Sequence, residues 1–260
     1  MNRITTWAAA AALAAGSLAL ATPAQAAPAK AASYKVTASV NKTEVVGKED
    51  VVKVRGRVTP KAAGQKVTLQ QRVGKKKSWK ATGTAKIKQN GTYVLKDDPS
   101  TAGTRQYRVL KPASNGFAKG FSETLDVTVY RWQKLGFRTP GPSVNITPRG
   151  VTIGAEYFTA SLATTTSGTP SSVEYTLGRK CTEMRATFAL TDDSATGSSG
   201  AVTVSGDGAV LAAHSLSVGV VVADQVIDIE DVFRLKLDLS TSVAPAAVAA
   251  VATPEVLCAG

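Results

Sequence analysis

Few side chains in this sequence are of a type that could carry out chemistry. Its 260 residues include one histidine, His214, and two cysteines, Cys181 and Cys258. A histidine-rich metal site, a four-cysteine zinc site or a cysteine–histidine pair with an ordering group would each need more ligands. His214 follows Leu211-Ala212-Ala213 in an alternating run, and no Gly-x-Ser-x-Gly elbow supplies it with a nucleophile. We read it as a strand residue. Carboxylates survive the count, and Asp192-Asp193 and Glu230-Asp231 are the adjacent acidic pairs. A glycosidase needs two carboxyl groups facing each other across about 5 to 9.5 Å. Both pairs here flank turn-like stretches, where Asp bonds its own backbone. Asp192 and Asp193 could also offer a hard cation such as calcium its oxygens, though without the spacing of an EF-hand. The chain reads as a non-enzyme with no cofactor.

Binding is the better-supplied chemistry. Lys and Arg number 31 against 19 Asp and Glu, a net charge of +12. The sharpest concentration is Lys75-Lys76-Lys77, followed by Trp79 and Lys80. It reads either as a solvated hairpin tip or as a patch that captures an anionic polymer. Trp79 is expected in a core, with stacking beside the cations as the alternative. Sugar platforms would come from aromatics further along: Tyr157, Phe158, Tyr175, Phe188 and Phe233. Phe188 and Phe233 lie in alternating runs and are expected inside, while Tyr157 and Tyr175 have polar tips and could line a surface site. Arg179, Lys180 and Arg185 are the matching candidates for hydrogen bonds to sugar hydroxyls, with the dressing of a turn as the alternative.

The elements that must position these residues are strands. Residues 1–26 read as a signal peptide: Arg3 supplies the positive charge, Trp7 to Ala21 the apolar run, and Ala24-Gln25-Ala26 the cleavage site. The run is shorter than the ~20 residues that span a bilayer, so no integral membrane segment is expected after cleavage. Residues 27–32 read as a leader. Export gives the two cysteines a meaning: outside a reducing compartment, with no C-x-x-C spacing, Cys181 and Cys258 are expected to form a structural disulfide.

The charge divides the remainder in two. Ser33 to Trp132 holds 21 basic and 7 acidic residues, a net of +14, and Gln133 to Gly260 holds 8 and 12, a net of −4. Between them, Leu135-Gly136-Phe137-Arg138-Thr139-Pro140-Gly141-Pro142 breaks any regular element, so 133–142 is expected to be a linker. In 33–132 seven alternating segments recur about every ten residues; Val52, Val54 and Val58 fall on one face and Lys53, Arg55 and Arg57 on the other. That pattern predicts a small antiparallel sandwich. Residues 143–260 carry further strand-like runs, including Phe233 to Leu239, and Asp207-Gly208 marks a tight hairpin. A jelly-roll sandwich fits their number.

Two resemblances go further. Gly56-Arg57-Val58-Thr59-Pro60, Gly64 to Gln70, Trp79, Gly91-Thr92-Tyr93 and Tyr107-Arg108-Val109 resemble bacterial immunoglobulin-like modules of secreted actinobacterial proteins. Those are spacers or adhesive units. Val173 to Asp193, with its Tyr-x-Leu strand, Cys-bearing turn, Arg-Ala-Thr strand and Asp-Asp loop, resembles the NPCBM carbohydrate-binding modules, as does Ser205-Gly206-Asp207-Gly208. That likeness implies a galactose-binding-like sandwich that binds sugar. The expectation is therefore an all-β, secreted, non-catalytic protein: an immunoglobulin-like sandwich at 33–132 and a carbohydrate-binding jelly-roll at 143–260. Its partner would be polysaccharide or a cell-envelope polymer rather than nucleic acid, with a structural or adhesive role as the alternative.

Overall fold

The computed structural model describes residues 31–260; the expected signal peptide and residues 27–30 of the leader lie outside the described residues. The first half contains β1 (Lys35–Val40), β2 (Glu44–Val46), β3 (Val52–Thr59), β4 (Lys66–Val73), β5 (Lys80–Lys86), β6 (Thr92–Asp97), β7 (Gly103–Lys111), β8 (Gly120–Phe121) and β9 (Leu125–Lys134). One sheet runs β1-β3-β6; facing it is β2-β9-β7-β4-β5, in which short β2 lies parallel to β9. This is the two-sheet arrangement of an immunoglobulin-like sandwich. The alternation in β3 buries Val52, Val54 and Val58 against Leu69, Tyr93, Tyr107 and Val129. The period of two side chains turns Arg55 and Arg57 to water. Gly56 interrupts that strand for steric reasons: a Cβ there would lie 1.8 Å from the Thr37 carbonyl oxygen of β1. The buried Tyr107 hydroxyl donates to the Asp97 carboxylate at 2.6 Å, which satisfies it inside the core.

The stretch read as a linker is held along its length. β9 continues to Lys134, and its last four residues pair antiparallel with Glu255 to Cys258 near the end of the chain. A 3-10 turn, Leu135–Phe137, then drops Leu135 into the core of the second half. Beyond it the Arg138 guanidinium donates to the Thr176 carbonyl at 2.7 Å, and the Gly141 amide to that of Glu174 at 2.8 Å.

The second half contains β10 (Ser143–Val144), β11 (Ile146–Ile153), β12 (Glu156–Thr164), β13 (Ser171–Thr176), β14 (Cys181–Leu190), β15 (Ser199–Gly206), β16 (Ala209–Ser217), β17 (Val221–Asp228), β18 (Arg234–Thr241) and β19 (Ala249–Cys258). The pairings give two sheets, β11-β12-β19-β14-β17 and β10-β13-β18-β15-β16. From β12 onward successive strands alternate between the sheets except at the β15–β16 hairpin, which is the jelly-roll order. Phe188, Met184, Val204, Leu235 and Leu237 fill the space between. His214 stacks on Phe188 at 5.5 Å and so serves packing. At the β15–β16 turn both Asp207 (φ 49) and Gly208 (φ 89) are left-handed, which a two-residue primed turn requires. The Asp207 carboxylate accepts the amides of Phe233 and Arg234 at 2.9 and 2.8 Å, and these bonds hold it below the usual carboxylate range. Cys181 and Cys258 are bonded to each other across β14 and β19 and are buried.

Candidate functional site

The central sheet of the jelly-roll has an unusual last strand. One edge of β19 pairs with β14 along most of its length. β12 pairs with Val251 and Ala250, and β9 with Glu255 to Cys258. The change of partner falls at Thr253, which takes φ 41, a conformation that costs a β-branched residue dearly. Opposite it Ala160 of β12 takes φ 54, the Thr253 hydroxyl donates to the Thr159 carbonyl, and the Thr253 amide donates to the Ser161 hydroxyl. The 3-10 turn backs directly onto this point: a Cβ on Gly136 would lie 2.3 Å from the Ala160 carbonyl oxygen.

Exchange of partners explains the distortion in β12 and β19, but the distortion continues further. The register slips between Arg185 and Thr187 against β19, and between Ala186 and Phe188 against β17, where Asp224 takes φ 48. Three of four adjacent strands, β12, β19 and β17, thus carry an extra residue at one level, and the register of β14 shifts against both of its neighbours there. β-Bulges re-aim side chains and bend a sheet, and here they open a groove of about 400 Å³. Phe158, Ala186, Val226 and Ala252 supply its apolar lining, and Arg185, Glu255, Asp224, Thr187 and Thr253 its polar groups. Arg185 is fixed twice. Its Nε and Nη2 donate to one Glu255 oxygen at 2.8 and 2.6 Å, and its guanidinium lies 4.0 Å from the ring of Trp132, from the first half. The Thr187 hydroxyl accepts the Asp224 amide at 3.2 Å. The result is an apolar trough edged by fixed donors and acceptors, which suits a ligand with apolar faces and hydroxyl edges.

The four residues expected to bind ligand do not converge. Only Arg185 lines this groove. Tyr175 is a correction: it is fully buried, because Val173, Tyr175 and Leu177 all point inward, and burial pushes its hydroxyl up to about 12. Tyr157 is 66% exposed beside the β11–β12 turn, over Gly150 rather than in the groove. Arg179 lies 5.6 Å from the ring of Phe233, beside a second depression on the opposite sheet. Phe233, expected in the core, is 42% exposed, since it precedes β18 and the inward positions are Leu235, Leu237 and Leu239. In that second depression Glu174 pairs with Arg234 and Lys236 with Asp238, and the Asp207 carboxylate is taken up by two backbone amides. Phe158, one of the aromatic candidates, lines the groove, whereas Asp224 and Glu255, and Trp132 behind Arg185, are residues that sequence reasoning did not assemble.

Asp192 uses both carboxylate oxygens to accept the amides of Gly154 and Ala155 at 2.7 and 2.9 Å, closing the β11–β12 turn, and Asp193 is exposed beside it. Among the described residues no group of three His, Cys, Asp or Glu side chains is placed to hold a metal ion. Lys75, Lys76 and Lys77 are exposed on the β4–β5 hairpin, with Lys80 at the start of β5. Trp79 is a correction: it sits outside the sandwich against two guanidiniums, Arg72 at 4.8 Å and Arg108 at 4.2 Å, not in the core. No helix among the described residues is long and apolar enough to cross a membrane. No protein-family model matches the chain, and a search of curated proteins finds no relative.

Proposed function

We propose that this is an exported, non-catalytic glycan-binding protein whose jelly-roll groove takes a carbohydrate chain, with cell-envelope polysaccharide as the target. The observation that carries the reading is the alignment of three bulges, in β12, β19 and β17, at the level of the groove. The bulges of β12 and β19 belong to the junction, whereas that of β17 at Ala223-Asp224 lies two strands from β19, and Asp224 lines the groove. Strained backbone of this kind concentrates where a protein presents groups to a ligand. Phe158 offers a pyranose its apolar contact, and Arg185, Glu255, Asp224 and the threonine hydroxyls offer its edges hydrogen bonds. The buried disulfide supports an oxidising compartment, hence export.

The test is retention of the full chain on purified wall polysaccharide and on an array of neutral glycans. Phe158→Ala is expected to weaken binding about tenfold, equivalent to ~1.4 kcal/mol, and Arg185→Gln by a similar factor. Salt should matter little, since stacking and neutral hydrogen bonds are not screened as exposed charges are. A chain that binds no glycan, or a Phe158→Ala variant that binds like the parent, would overturn the assignment.

A further inference from the structure

The outer face of the β9-β7-β4-β5 sheet carries an arrangement that the groove does not use. Arg72 of β4 and Arg108 of β7 both lie against the ring of Trp79. Arg108 also lies 4.3 Å from the ring of Phe121, which Lys119 approaches at 5.8 Å. The contacts form one unbroken chain of alternating cations and aromatic rings. Its guanidiniums are oriented by neutral partners. Arg108 Nε donates to the Gln70 side chain at 2.8 Å and Arg72 Nε to that of Gln106, which in turn donates to Asp126 at 2.7 Å.

Two features separate this face from an ordinary solvated one. First, the charges are not neutralised. Among the described residues, none of Arg72, Arg108, Lys119, Lys75, Lys76, Lys77 and Lys80 forms an ion pair, whereas Arg105, Arg185 and Arg234 each have a carboxylate partner. Partial burial and the like charge of Arg72 pull Arg108 below its usual range, the mark of a cation without a counter-charge. Second, the terminal nitrogens of Arg72 and Arg108 have no acceptor among the described residues, although Nε of each is bonded. Their donors are held in place and unspent.

We propose that this face is a binding site for a linear phosphodiester-linked polyol, an anionic envelope polymer without bases. Arginine forks and lysine point charges together are the donors that phosphate oxygens take. Trp79 and Phe121 would cover the intervening carbon units. Lys76 and Lys80 line a small depression together with Arg72, so the Lys75–Lys77 hairpin would extend the positive field along the polymer.

The experiment is calorimetric titration of the full chain with poly(glycerol phosphate). Polygalacturonate and single-stranded DNA serve as the carboxylate and nucleic-acid arms. The probe has no sugar ring, so failure of the glycan reading would not move this result. Binding is expected to weaken about fifty-fold between roughly 50 and 200 mM salt, for about four phosphate contacts. Arg72→Gln with Arg108→Gln should weaken it at least about tenfold. Lys75→Gln, Lys76→Gln and Lys77→Gln together, at exposed positions without ion pairs, should chiefly flatten the salt dependence. No binding of poly(glycerol phosphate), parental binding by the arginine pair variant, or equal or tighter binding of either other polymer would overturn the proposal.

Discussion

Replacing both cysteines by alanine (C181A/C258A) is expected to remove about 4 to 5 kcal/mol of stability. The bridge closes a loop of 77 residues, and for that length the chain-entropy account gives a stabilisation of this size through the unfolded state. Its position makes the loss felt in the folded state as well. β19 is the last strand, yet it lies inside the sheet, paired with β14 on one side and with β12 and then β9 on the other. Cys258 is its final paired residue, so the bridge pins that end of the strand to β14. Alanine at two buried positions adds no polar group, so the change reports the cross-link rather than a buried hydroxyl. Guanidinium unfolding of the two proteins should show the midpoint of the variant falling sharply. A loss below about 2 kcal/mol would mean that the reduced chain is already constrained by residual structure.

Local rules made part of this architecture readable. The alternation of β3 and the Asp207-Gly208 turn each follow from a few neighbouring residues, the Cys181–Cys258 pairing from the absence of any other partner, and the structure has all three. The same rule places Tyr175 correctly when applied strictly: Val173, Tyr175 and Leu177 share one face, and that face is the core. The error lay in weighing a polar hydroxyl above the period of the strand. Trp79 failed in the other direction. An aromatic between strands reads as core, but two guanidiniums on adjacent strands β4 and β7 give its ring an alternative partner, and nothing in the local pattern announces that they are diagonal neighbours. The groove was the least readable part. Arg185 and Glu255 are 70 residues apart, Trp132 comes from the other half, and the bulge beside them marks where β19 changes partner at Thr253. The Pro- and Gly-rich stretch at 133–142 misled for a related reason. It lacks strand or helix periodicity, yet Gly136 is there to bring two backbones into contact.

Leu135 tests that junction most directly. Changing Leu135→Ala is expected to cost about 3 kcal/mol, within the range for a buried leucine whose cavity does not fully collapse. Collapse is hindered here, because the turn carrying Leu135 is paired to β19 on its N-terminal side and bonded through Arg138 to Thr176 on its C-terminal side. Leu135 packs in the jelly-roll core with Leu162 and Val256, and the immunoglobulin-like core is a separate cluster. The loss should therefore fall on one half. Hydrogen exchange should show weakened protection in β12 and β19 and unchanged protection in β3 and β7. Equal deprotection of both halves would mean that the cores unfold as one unit, and a cost under about 1 kcal/mol would mean that the turn contributes little to the second core. A fragment beginning at residue 143 removes Leu135 outright, together with the β9 pairing and Trp132. It should be less stable than one beginning at residue 125 by more than the Leu135→Ala cost, and its Arg185 loses the ring on which it rests. Glycan binding measured on the shorter fragment would then report a groove with one support missing, so the boundary of the binding unit belongs at the start of β9 rather than after the Pro/Gly stretch.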